Sequence, residues 1–241
     1  MQFKRYLSNK GEQPLSVIHW LFNAQVHFGN KYTQAIYWKE IIGNIFGLGS
    51  ALLGMRRKMW AWPIGIIGNV LLFTLFIGSM WDPHQTSRIM LGQAGRQLLL
   101  IAVSLYGWWQ WSQNRKRAGN DGKPPVQIRW TTTNEKLVLI PATLAFYFAS
   151  FFTITAIGGS WNVAADSWIF TGTALATYGL ARGFVEFWLV WIAVDAVGVP
   201  LDIRGHYYPT AAMYVFYGAF VIWGFVVWLL AAKREKVPAL A

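Results

Sequence analysis

Seven apolar runs follow one another along this chain, at roughly 39–55, 59–79, 88–111, 136–158, 166–181, 184–203 and 209–231. Each is close to the about 20 residues that a helix needs to cross a bilayer, although the first and fifth are shorter. In lipid only helices and closed barrels satisfy their own backbone, and runs of this length belong to helices. Composition agrees, because only 13% of the 241 residues are charged while 55% are hydrophobic. A soluble domain carries about 25% charged residues, and a water-exposed globule could not cover its core with so few. The sequence therefore predicts an all-α integral membrane protein with seven transmembrane helices. Mean hydropathy is only +0.33, since fifteen Trp and ten Tyr score poorly on hydropathy scales although bilayer interfaces favour them.

Charge gives an orientation. Arg56, Arg57 and Lys58 join the first two runs, and Arg115, Lys116, Arg117, Lys123 and Arg129 follow the third. Arg182 separates the fifth and sixth, and Lys233, Arg234 and Lys236 close the chain. The alternate connections are nearly free of positive charge. By the positive-inside rule the basic connections and the C-terminus are expected in the cytoplasm. That rule also accounts for the net charge of +11 without a nucleic-acid partner; the expected partner is the lipid bilayer. Residues 1–38 read as an N-terminal tail in which 16–28 form a short interfacial helix, with Val17, Trp20, Leu21 and Ala24 on one face. No cleavable signal peptide is evident there.

The polar stretch between the third and fourth runs divides the chain. The expected units are a first three-helix repeat at 39–111, a cytoplasmic loop at 112–135, a linking helix at 136–158, a second three-helix repeat at 166–231 and a tail at 232–241. A slide of 126 residues superposes Trp62 and Asn69 on Trp188 and Asp195, and Arg56 on Arg182. Tyr106 and Gly107 correspond more loosely to Tyr217 and Gly218. Four spans separate equivalent helices, so the two repeats are expected to run parallel.

Polar groups at bilayer depth are costly and so are functional candidates. Trp62, Gly65 and Asn69 share a helical face, as do Trp188, Trp191 and Asp195. Gln93, Arg96 and Gln97 lie on adjoining turns of the third run, and Asn44 stands between Gly43 and Gly47. Structural readings compete. Gly43 and Gly47 suit a close helix contact, Asn44 and Asn69 suit interhelical hydrogen bonding, and Arg96 and Asp195 could pair with each other. Trp60, Trp108, Trp109 and Trp111 sit near span ends as interface anchors. Trp188 and Trp191 lie deeper beside an acid, an arrangement that suits a flat cation, and Pro200 is expected to kink the sixth helix near Asp195.

Absences narrow the function. No cysteine is present, the seventh run lacks a lysine, and the four His are scattered. No nucleophile elbow, P-loop or zinc motif occurs, so no metal and no cofactor are expected and the chain is not read as an enzyme. Three stretches carry a resemblance. They are 60–69 with Trp60, Trp62, Pro63, Gly65 and Asn69, then 105–111 with Tyr106, Gly107 and three Trp, then 186–195 with Glu186, Trp188, Trp191 and Asp195. In that order they resemble the bacterial PnuC family of vitamin B3 transporters, over nearly all of 39–231.

The resemblance implies a nicotinamide riboside carrier of the bacterial inner membrane, working by facilitated diffusion and drawn forward by phosphorylation in the cytosol. It also implies a fold similar to full-length SWEET transporters, in a 3+1+3 arrangement, and a homotrimer. Nicotinamide riboside joins a pyridinium cation to ribose, and indole faces, an acid and amides suit those parts. The expected substrate-binding residues are Trp62, Trp188 and Trp191 with Asp195, Asn69, Asn44, Gln93 and Gln97, around one central site with alternating access. A carrier of another small vitamin or sugar, and a non-transporting membrane sensor, are the competing readings.

Overall fold

The computed structural model describes residues 25–26, 36–77, 91–118, 124–158, 162–204 and 208–236. Seven helices stand among these residues: α1 (Trp38–Met55), α2 (Ala61–Phe76), α3 (Leu91–Ala118), α4 (Thr133–Ile157), α5 (Val163–Arg182), α6 (Phe187–Arg204) and α7 (Tyr208–Lys236). Each apolar run has become one helix. α3 continues to Ala118, seven residues past the expected end at 111. Its polar end contains no Gly or Pro to stop the helix, and Arg115, Lys116 and Arg117 in its last turn complement the helix dipole. The expected loop at 112–135 is thus shortened from both ends. The interfacial helix expected at 16–28 meets a contradiction at its only described residues. Gln25–Val26 (β1) pairs antiparallel with Ile36–Tyr37 (β2), where β-branched and aromatic side chains favour extended backbone.

Neighbours in sequence are neighbours in space. α1 packs on α2 and α2 on α3, while α5 packs on α6 and α6 on α7. The two sets meet where α3 lies against α5 and, more lightly, where α1 touches α7. α4 packs on α5 and leaves most of itself uncovered; of its residues only Ser150 is buried. Leu137, Val138, Ile140, Leu144, Phe148 and Phe152 are all exposed on it. An apolar surface of that extent is stable against lipid and not against water. α4 and the Tyr214–Glu235 part of α7 are each long and apolar enough to cross a bilayer.

One end of the bundle gathers the basic connections, and two indoles tie it together. Trp111 Nε1 donates to the main-chain oxygen of Ala181 at 2.9 Å, and Trp228 Nε1 donates to that of Met55 at 3.0 Å. Both Trp are fully buried. Trp111 is therefore no interface anchor, in contrast to Trp60, Trp108 and Trp109, which remain exposed. Each donor helix bonds the end of a helix in the other set of three.

The segment 124–132 straps this rim. Arg129 N donates to Gly183 O at 2.9 Å and Val185 N to Arg129 O at 3.0 Å, a parallel bridge that draws the strap onto the α5–α6 turn. Gly183 has φ 77, and a β-carbon there would strike Gln127 O, so the turn needs glycine. Val126 and Ile128 of the strap are buried, the first against Trp62, Trp111 and Ala181. Glu235 of α7 accepts from Ile128 N at 3.1 Å and from Arg57 at 2.6 Å. Glu186 accepts from Thr131 N and, at 2.6 Å, from its hydroxyl. Glu135 completes a capping box with Thr132 and pairs with Arg129 at 2.6 Å, which holds the Arg129 guanidinium above the usual arginine range.

Candidate functional site

The paired tryptophans of the sequence are paired in space, though as packing elements. Trp62 on α2 lays its indole over Gly107 of α3, where a β-carbon would collide with the ring. Trp188 on α6 does the same over Gly224 of α7. Trp62 meets Trp111 edge-on at 5.2 Å, and Trp188 meets Trp228 edge-on at 5.9 Å. The role of Gly107 falls to Gly224 and not to Gly218, so the loose match of Tyr106-Gly107 with Tyr217-Gly218 is out of register. The shared signal is Gly followed four residues on by Trp. Both indole Nε1 atoms are buried without a hydrogen-bond partner.

α1 and α2 come close because Gly43 and Gly68 face each other; a β-carbon at Gly68 would lie 2.9 Å from Gly43 O. At Gly65 a β-carbon would lie 2.6 Å from Ser50 Oγ, while Gly47 has open space around it. This crossing sets the depth of Asn44 and Asn69. Asn44 donates from its amide to Glu40 O of its own helix at 2.8 Å. Tyr217 of α7 reaches the main-chain oxygen of Asn44 at 3.2 Å. Asn69 is half-buried and makes no side-chain hydrogen bond among the described residues. At about 1.5 Å of rise per residue, Asn69 and Asp195 each lie about 12 Å along their helices from the basic rim.

Asp195 is 8% exposed, with Oδ2 buried and unpartnered. A β-carbon at Gly218 would lie 3.6 Å from that oxygen, so glycine lets α7 pass close to the acid. One turn earlier on α7, Tyr214 accepts from Arg96 Nη1 at 3.3 Å, and its ring packs on Gly198 of α6. Arg96 and Asp195 interact electrostatically, yet the ion pairs among the described residues do not include them. Gln97 is buried with Oε1 unpartnered, and Thr171 and Thr173 of α5 each bury an unpartnered hydroxyl. Trp191 is half-buried on α6. Pro200 lies inside α6, where its missing N–H leaves the Ala196 carbonyl without its helical donor. The side chain of Gln93 lies outside the described residues.

Of the expected residues, then, Asp195 lies against Gly218 of α7 and Asn44 meets Tyr217 through its main-chain oxygen, while Trp62 and Trp188 pack on Gly107 and Gly224. Sequence reasoning took Tyr217 only as a repeat match and did not single out Tyr214, Thr171 or Thr173. Their signals are a Tyr-x-x-Tyr spacing and a Thr-Gly-Thr triplet inside apolar runs. The resulting interior holds a guanidinium, a carboxyl group, amides and phenols at bilayer depth.

Comparison with known proteins gives the context. A family profile described as nicotinamide mononucleotide transporter matches residues 37–230. The riboflavin/roseoflavin transporter RibM of Streptomyces davaonensis is 40% identical over 210 residues, covering 87% of this chain and 92% of the relative. The nicotinamide riboside transporter PnuC of Escherichia coli is 23% identical over 228 residues, covering 85% and 90%. The crystal structure of a vitamin B3 transporter PnuC superposes with a TM-score of 0.63 at 17% identity, covering 83% of each chain.

Proposed function

The chain belongs to the nicotinamide mononucleotide transporter family, the PnuC family, whose relatives here are transporters and not enzymes, and on that premise we propose that it carries riboflavin across the bacterial inner membrane. The observation that carries the substrate is the 40% identity to a riboflavin/roseoflavin transporter along 87% of the chain. Arg96 supports it, since a guanidinium in the polar interior suits a neutral ring bearing carbonyl groups better than a pyridinium cation.

Transport proceeds by facilitated diffusion with alternating access around one central site, and uptake is drawn by cytosolic phosphorylation of the vitamin. The two sets α1–α3 and α5–α7 act as parallel repeats in a 3+1+3, SWEET-like arrangement with α4 as the link. The matched Trp62–Gly107 and Trp188–Gly224 contacts support this, as do the crossed bonds from Trp111 and Trp228. The basic rim and the C-terminus face the cytoplasm by the distribution of Arg and Lys. The uncovered face of α4 is open to lipid or to neighbouring subunits of a homotrimer.

Nicotinamide riboside is the second reading, favoured by the 23% identity to PnuC of Escherichia coli and by the buried acid Asp195. Titration calorimetry of the detergent-purified protein against riboflavin, nicotinamide riboside and nicotinamide mononucleotide separates the two. Riboflavin is expected to bind and both nicotinamide compounds to be silent. Binding of the riboside alone would install the second reading, and binding of none would remove both.

A further inference from the structure

A guanidinium and a carboxyl group share the interior of this bundle without closing on each other. Arg96 Nη1 donates to Tyr214 Oη at 3.3 Å, and its Nε is buried with no partner. Asp195 Oδ2 is likewise buried and unpartnered. Tyr214 and Gly218, which touch Arg96 and Asp195 respectively, are one turn apart on the same face of α7. Ionisable groups at membrane depth ordinarily pair. Here Tyr214 holds Arg96, and its ring is wedged on Gly198, one turn from Asp195 on α6. The result is a free N–H donor and a free carboxyl acceptor lining one face of α7, with the unpartnered Oε1 of Gln97 on the residue next to Arg96.

We infer that this open pair reads the pyrimidine edge of a flavin ring, Asp195 accepting from the imide N3–H and Arg96 donating to an adjacent ring carbonyl. The inference rests on the riboflavin reading above and assigns which edge of that substrate is recognised. An imide presents acceptor, donor and acceptor in a row, which complements a guanidinium donor and a carboxyl acceptor that do not pair with each other. Hydrogen bonds to such groups are stronger than neutral ones and leave a large penalty when a substrate lacks the matching atom. A pyridinium brings a second positive charge toward Arg96 and has no imide to offer Asp195.

The test uses the full-length protein in detergent, with riboflavin and 3-methylriboflavin titrated into native, Arg96→Gln and Asp195→Ala proteins. In the native protein the N3 methyl group is expected to weaken binding by about tenfold or more. Arg96→Gln is expected to weaken riboflavin by a similar factor. In Asp195→Ala the penalty for the methyl group is expected to vanish, because the acceptor it obstructs is gone. Equal binding of the two flavins by native protein overturns the inference and leaves the riboflavin reading intact. Failure of native protein to bind riboflavin overturns both. Should either variant fail to fold, the comparison of the two flavins on native protein decides alone.

Discussion

Trp228 donates from its indole to the main-chain oxygen of Met55 at 3.0 Å, and so fastens the last helix to the end of the first. Trp111 fastens the third helix to Ala181 at 2.9 Å in the same way. Met55 and Ala181 are separated by the same 126 residues that relate Trp62 to Trp188. Each bond leaves its own three-helix set and closes on the other, so together they are a crossed pair of ties at the basic rim. Trp228→Phe and Trp111→Phe keep an aromatic ring, smaller than the indole, and remove the donor. Each is expected to cost about 0.5–1.5 kcal/mol, read as a lower thermal midpoint in detergent. Midpoints equal to that of the native protein would mean that ring packing alone holds the rim.

Glycine serves two purposes in these helices, and substitution tells them apart. Gly224 receives the Trp188 indole, so a methyl group there has no room. Gly224→Ala is expected to destabilise by about 1–3 kcal/mol through overpacking. Gly47 has nothing within 4 Å of its would-be β-carbon, and Gly47→Ala is expected to be neutral or to stabilise by up to about 1 kcal/mol, as helix propensity directs. Thermal unfolding of the two variants side by side checks the contrast; equal losses would contradict it.

How much of this was legible beforehand depended on what each residue faces. Burial in lipid demands apolar side chains, so the seven runs marked the helices. The end of α3 was hidden because Ser112 to Ala118 leave the bilayer without breaking the helix. Trp111 sits at a span end, where position along the axis suggested an anchor; position around the axis decides burial, and nothing local encodes that. The contact of Arg96 with Tyr214 joins residues 118 positions apart, which no spacing rule reaches. The offset between Trp62 and Trp188 was readable because those helices repeat closely, whereas the third helices of the two sets match only in their Gly and Trp.

The strap at the basic rim is held by carboxylates that accept its main-chain N–H groups. Glu235 takes Ile128 N and Glu186 takes Thr131 N. Glu235→Gln and Glu186→Gln each weaken a charge-assisted bond and an ion pair with Arg57 or Lys136. Hydrogen exchange at the amides of Ile128 and Thr131 is expected to quicken by about tenfold, which corresponds to about 1.4 kcal/mol of local stability. Exchange confined to native rates would show the strap to be held by the buried Val126 and Ile128 instead.

Asn69 and Asn44 look alike in sequence, each an amide beside glycine in an apolar run, but their amides are differently engaged. Asn44 spends its donor on Glu40 O of its own helix, whereas Asn69 has no hydrogen bond among the described residues and stands half-buried at the depth of Asp195. An amide left open at that depth can meet substrate hydroxyls, and removing it takes no side-chain hydrogen bond from the described fold. Asn69→Ala is therefore expected to weaken riboflavin binding by about tenfold, about 1.4 kcal/mol, with the thermal midpoint nearly unchanged. Asn44→Ala is expected to have the smaller effect on binding, because its amide already donates to Glu40 O. A variant at Asn69 that binds normally but unfolds early would make that residue interhelical glue and move the site away from α2.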